Sequence, residues 1–264
     1  MVSTLNKDLC ALNFVVFGDV RSGTGVVQSS ITNRIGVVCH ADLFHTDLKV
    51  RREAHESYYG PCEDPENSPE WFVDTTNPVR YINHIIFDNP QHGERTIGFR
   101  VLYEVIERWE LWELFEQRFR EGDFCMIHVV RNPVACFVSL KQAQASGIWS
   151  QGHNDERKPI PGAISLDVVE LVEFCRRHAA VRSKIKSVCR DTVDVLYRDL
   201  FLNYQQTMAK IFDFLELSYS EQPALSSRRR LRNRPLRERI SNWTMLLAEV
   251  PHEIRTLMTA EDFF

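Results

Sequence analysis

Asn13-Phe14-Val15-Val16-Phe17-Gly18-Asp19-Val20-Arg21-Ser22-Gly23-Thr24-Gly25 sets the fold. Its first half is a short apolar, β-rich run, and its second half is a glycine loop. Residues 26–34 can then form a helix, so the unit reads as strand, loop and helix. A strand that ends in glycines and opens a helix presents unpaired backbone N–H groups and the positive end of the helix dipole, which suits a phosphate. Gly18 and Gly23 match the first half of G-x-x-x-x-G-K-[ST]. Thr24, however, stands where the lysine of a nucleoside-triphosphate loop belongs, and Gly25 where its magnesium-binding hydroxyl belongs. Without that lysine the loop cradles a single phosphate, with Arg21 as its cation.

The rest of the chain repeats the alternation. Gly36-Val37-Val38-Cys39 reads as a second strand, Thr96-Ile97-Gly98-Phe99-Arg100-Val101-Leu102 as a third, Phe124 to Val130 as a fourth and Val193-Asp194-Val195-Leu196-Tyr197 as a fifth. Helices are expected over residues 80–87, 106–120, 166–188 and 204–217. Another starts at Asn132 as N-cap, with Pro133 at its first position, and stops at Gly147. Apolar strands alternating with helices predict an α/β fold, a P-loop-like three-layer sandwich with a central, mostly parallel sheet flanked by helices. Ligands should bind at the carboxyl ends of its strands. We expect one domain over residues 1–264, with an irregular substrate-covering insertion at about 47–95 and an arginine-rich loop at about 226–243.

The chain of 264 residues is 44% hydrophobic and carries a formal charge of −4. Residues 228–240 nevertheless hold seven arginines against one glutamate. A local arginine cluster on an acidic body suits a small polyanion and argues against a nucleic-acid partner, which would need positive charge spread over a face. The seven cysteines have no C-x-x-C pairing and fall mostly in apolar runs, so they are read as reduced thiols of a cytoplasmic protein. No signal peptide or membrane span is expected, and no Cys/His spacing suggests a metal. A second anion contact is offered by Arg131, at the end of the fourth strand, and Ser139, about two helical turns later.

Four segments, in chain order, resemble the 3′-phosphoadenosine 5′-phosphosulfate (PAPS)-dependent sulfotransferase family. Phe17-Gly18-Asp19-Val20-Arg21-Ser22-Gly23-Thr24 is similar to its 5′-phosphosulfate loop. Val129-Val130-Arg131-Asn132-Pro133, with Ser139 eight residues on, is similar to its 3′-phosphate motif. Val195-Leu196-Tyr197-Arg198-Asp199-Leu200 resembles its Y-E-D-L strand end, and residues 230–243 its closing C-terminal loop. Ile97-Gly98-Phe99-Arg100, Trp71-Phe72 and the 142–149 segment are most like the bacterial trehalose-sulfotransferase branch and its natural-product relatives.

The resemblance implies a metal-free transfer of sulfonate from PAPS to a hydroxyl or amine of a small polar acceptor, leaving adenosine 3′,5′-bisphosphate. It assigns Arg21, Ser22, Gly23, Thr24 and Gly25 to the 5′-phosphate. Arg131, Ser139, Tyr197, Asn233 and Arg230 or Arg232 go to the rest of the donor, and Arg100 to the leaving oxygen or sulfonate. The acceptor's base is expected after the second strand, at Asp42 or at His40. A guanidinium alkaloid of a bacterial toxin pathway fits the acidic body as acceptor, and a carbohydrate is the alternative. The other readings are a P-loop nucleotide kinase and an inactive nucleotide binder. Partners are limited to the acceptor, with no membrane, and with a homodimer left open.

Overall fold

The computed structural model describes residues 13–32, 37–41, 44, 82, 96–149, 162–217 and 234–260. Five parallel strands form its sheet: β1 (Phe14–Gly18), β2 (Val37–His40), β3 (Thr96–Leu102), β4 (Cys125–Val130) and β5 (Thr192–Leu196), in the order β2-β3-β1-β4-β5. β1 and β4 are buried at every residue, as strands covered on both faces must be, which explains the unbroken apolar run of β1 and that of β4, interrupted by His128 alone. The chain passes from β1 to one side of the sheet, and later from β3 to the other. The carboxyl end of β1 therefore lies at a topological switch point, where open α/β sheets hold ligands.

Helices follow as α1 (Thr24–Thr32), α2 (Tyr103–Arg108), α3 (Trp112–Glu121), α4 (Pro133–Ser146), α5 (Val168–Val188), α6 (Asp199–Leu202), α7 (Tyr204–Phe214), α8 (Leu236–Arg239), α9 (Trp243–Glu249) and α10 (His252–Thr259). The pleat divides the strand residues between two cores. Val15, Phe17, Phe99 and Met126 pack with residues of α2, α3 and α5. Phe14, Val16, Ile127 and Val195 face α1 and α7. The three-layer arrangement follows from that division. A third cluster joins α4, the start of α5 and the last three helices. Gly98 is needed where β3 passes β1, since a Cβ there would come within 2.3 Å of the Phe14 ring.

α4 starts as its sequence predicts. The Asn132 side chain accepts from the N–H groups of Val134 (2.9 Å) and Ala135 (3.4 Å), Pro133 is the first helical residue, and Gly147 ends the helix at φ 67°. One expected element is corrected: residues 106–120 are not a single helix. Glu110 adopts φ 53°, and the chain turns between α2 and α3, which lets Leu111 bury completely. His40 is the last residue of β2 rather than part of the segment after it. The strand and helix expected at 193–197 and 204–217 appear as β5 and α7, shifted or shortened at their ends. The helix expected over 80–87 and the body of the insertion lie outside the described residues.

Cys39, Cys125, Cys136, Cys175 and Cys189 are buried. Burial pushes the thiols of Cys125 and Cys175 up to about 12, so they pack as small apolar groups. Among the described residues, no helix is long and apolar enough to cross a membrane.

Candidate anion site at the carboxyl edge of the sheet

The loop after β1 is tight because of its backbone. The Ser22 N–H donates to the Asp19 carbonyl (3.1 Å), Arg21 takes φ 66° and Gly23 φ 100°, and the Gly23 carbonyl accepts from Val26 and Val27 as α1 begins. Both glycines of the motif are sterically required. A Cβ on Gly18 would meet the Ser22 hydroxyl, the Thr24 methyl and the Val129 carbonyl within 2.8 Å, and one on Gly23 would meet the Tyr197 ring at 2.9 Å. Val26 and Val27 are taken up by the Gly23 carbonyl, but helix geometry gives the N–H groups of Thr24 and Gly25 no carbonyl within α1, so the loop offers these donors to an anion.

Positive φ at a non-glycine residue costs roughly 1–3 kcal/mol. At Arg21 this conformation accompanies a side chain that reaches α4, where Nε donates to Ser139 Oγ (3.2 Å) and Nη1 donates to the Trp149 carbonyl. Arg131, just past β4, closes the arrangement from the other side. Its Nη1 donates to the Arg21 carbonyl at 2.7 Å, and its guanidinium lies 3.8 Å from the centroid of the Tyr197 ring. Tyr197 is fixed in turn by its N–H, which donates to the Val130 carbonyl at 2.8 Å. Arg21 and the start of α1 after β1, Arg131 after β4, Tyr197 after β5 and the Ser139 hydroxyl of α4 are thus linked in one arrangement. Two buried polar atoms there, Ser22 Oγ and Arg131 Nε, have no hydrogen-bond partner among the described residues.

Of the residues singled out in the sequence, Arg21, Ser22, Gly23, Thr24, Gly25, Arg131, Ser139 and Tyr197 lie on this one set of connected segments. Arg21 and Ser139, read as contacts to opposite ends of the donor, bond to each other directly. Arg100 is not at a strand end: it pairs with Val16, two positions short of Leu102, on the face of the sheet that carries α1. His40 is fully buried and pairs with Phe99, whose face is the opposite one. Asp42, Arg230, Arg232 and Asn233 lie outside the described residues. The arginine cluster is not uniform. Arg239 is buried and donates to Gln142 Oε1 through Nε (3.2 Å) and Nη2 (2.9 Å), so it ties α8 to α4, whereas Arg234 is exposed.

The sequence reading did not pick out Asp19. Its side chain is 1% exposed at the base of the loop, and burial is the main cause that pushes its carboxyl up to about 7, against the Val20 N–H and Arg177, which lower it. Only burial reveals it, because a motif spelled G-x-x-x-x-G treats this position as free.

No family model matches the chain, and neither does any curated protein. Similar solved structures include the sulfotransferase domain of the olefin synthase from Synechococcus PCC 7002. It has 12% identity and a TM-score of 0.42 over 79% of this chain and 74% of that one. A sulfotransferase from Mycobacterium avium has 12% identity and a TM-score of 0.42 over 92% of this chain and 69% of that one.

Proposed function

We propose that the protein is a sulfotransferase that moves the sulfonate group of PAPS to a hydroxyl or amine of a small polar acceptor. The observation that carries this reading is the pairing of a lysine-free loop with Arg131, whose guanidinium joins the end of β4 to the loop's own backbone. A nucleoside triphosphate needs a cation that reaches its β- and γ-phosphates, and Thr24 occupies that place. PAPS needs two separate phosphate sites and a cation at the leaving oxygen. Arg21 and the first turn of α1 serve the 5′ end. Arg131 and Ser139, with Arg230 or Arg232 and Asn233, serve the 3′-phosphate.

Transfer breaks the bond from sulfur to the 5′-phosphate oxygen and forms one from sulfur to the acceptor, while the acceptor's proton passes to a base. The work of the protein is alignment and neutralisation of charge on the leaving oxygen. Asp42, two residues past β2, is the first choice of base, with His40 the second. Arg100, two positions below the strand end, reaches the sulfonate only through the length of its side chain. The acidic body favours a neutral or cationic acceptor, and we take a guanidinium alkaloid of natural-product synthesis as the instance.

Calorimetric titration tests the donor assignment. Adenosine 3′,5′-bisphosphate is expected to bind about 100-fold or more tightly than ATP with magnesium, since each well-placed phosphate adds charge-assisted hydrogen bonds. Binding of ATP without binding of the bisphosphate would overturn the reading. The base is tested by following bisphosphate release from PAPS in the presence of a panel of hydroxyl and amine acceptors. Asp42→Asn should lower turnover by about 10²–10⁴-fold and leave bisphosphate affinity intact, and retained turnover would move the base to His40.

A further inference from the structure

Asp19 occupies a place where an ionised carboxylate is out of keeping with its surroundings. It opens the loop assigned above to the 5′-phosphate, and it is buried. Oδ1 accepts one hydrogen bond, from the Val20 N–H at 2.7 Å, and Oδ2 has no hydrogen-bond partner among the described residues. Tyr103, Glu104 and Glu107 face it from α2, and Cys175, Arg177 and His178 from α5. His178 Nε2 lies 4.0 Å from Oδ2, beyond hydrogen-bond distance.

The neighbouring hydroxyl cannot help. Asp194 Oδ1 lies 2.8 Å from His128 Nδ1, and the carboxylate can only accept, so Nδ1 carries the proton and Nε2 is an acceptor. The Tyr103 hydroxyl therefore donates to Nε2, with oxygen and nitrogen 2.6 Å apart, which directs its proton away from Asp19. Burial lowers the proton affinity of both imidazoles, that of His178 to about 4, so neither is a cation near neutral pH. Arg177 remains, opposed by Glu104 and Glu107. A negative charge on Asp19 would thus be buried with one hydrogen bond, beneath a loop that must receive another negative charge.

We infer that Asp19 is a positioning residue which the loop requires in its neutral acid form, so that binding of the donor's 5′-phosphate draws one proton from solvent onto Oδ2. The inference rests on the function proposed above. The neutral acid keeps the Val20 contact through its carbonyl oxygen, and so holds the turn without opposing the phosphate. Because burial sets the carboxyl's midpoint at about 7, the free protein is largely ionised at pH 8 and has a proton to gain.

The test is titration of adenosine 3′,5′-bisphosphate at pH 8 in two buffers of different ionisation enthalpy, which reads proton uptake. At that pH the ligand's own phosphates, with second pKa values of about 6, are ionised. Wild type should take up close to one proton, and Asp19→Asn, which mimics the neutral acid, close to none. From pH 7 to 8.5 the wild-type affinity should fall by about tenfold or more, and that of the variant by less than about twofold. Equal uptake by the two proteins would overturn the inference, and so would zero uptake by wild type, which decides the matter even if the variant does not fold. Failure of wild type to bind the bisphosphate at any pH would instead overturn the proposed function, and this inference with it.

Discussion

Arg21→Ala is expected to lower the turnover of PAPS by about 10²–10³-fold, the loss seen when one preorganised donor to a developing oxyanion is removed. Arg21 is held by contacts on both sides. Its backbone sits at φ 66° with its carbonyl bonded to Arg131, and its side chain is aimed at Ser139 and the Trp149 carbonyl. A side chain fixed in this way loses little freedom when charge builds on the leaving oxygen, so its contribution should fall on kcat more than on KM. Two further variants separate charge from backbone. Arg21→Gly suits the left-handed conformation and should match or exceed wild type in its urea midpoint, yet remain as inactive as the alanine variant. Arg21→Lys keeps the charge but not the planar fork that bonds Ser139, and should recover only part of the loss. Turnover by Arg21→Gly close to that of wild type would remove the residue from the chemistry.

Much of the sheet was legible because its central strands are buried on both faces and leave largely apolar runs, broken in β4 only by His128; β1 and β4 needed no tertiary information. α4 was legible from cap chemistry alone. The break between α2 and α3 was not. Trp109, Leu111 and Trp112 continue an amphipathic spacing across it, and the residue that turns the chain is Glu110, with neither glycine nor proline to mark the place. The site divides in the same way. Spacing identified Ser139, but not that it would accept from Arg21. Counting charges identified an arginine cluster, but could not tell that Arg239 is a buried tie to Gln142. Asp19 was missed for a related reason: a carboxylate in a loop is ordinarily solvated, and only packing against α2 and α5 makes it a titrating group near neutrality.

Arg131→Ala should weaken adenosine 3′,5′-bisphosphate by about 100-fold and adenosine 5′-monophosphate by about tenfold, and the unequal loss is the informative quantity. Arg131 has two roles that a single affinity would confound. Through Nη1 it anchors the Arg21 carbonyl, and its removal loosens the loop for any 5′-phosphate; one hydrogen bond to a charged group contributes about 1.5–3 kcal/mol. Nε is buried without a partner among the described residues, an arrangement that costs about 1–3 kcal/mol unless an acceptor arrives. In the function proposed above the 3′-phosphate is that acceptor, and the monophosphate lacks it. The stack on Tyr197 keeps the guanidinium plane in place while the acceptor docks, so Arg131→Lys should restore some loop anchoring but little of the preference for the bisphosphate. The ratio of the two affinities therefore reads the 3′ contact with the anchoring role divided out. Equal losses for the two ligands in Arg131→Ala would reduce the residue to an anchor and leave the 3′-phosphate to Ser139 and the arginines of residues 228–232.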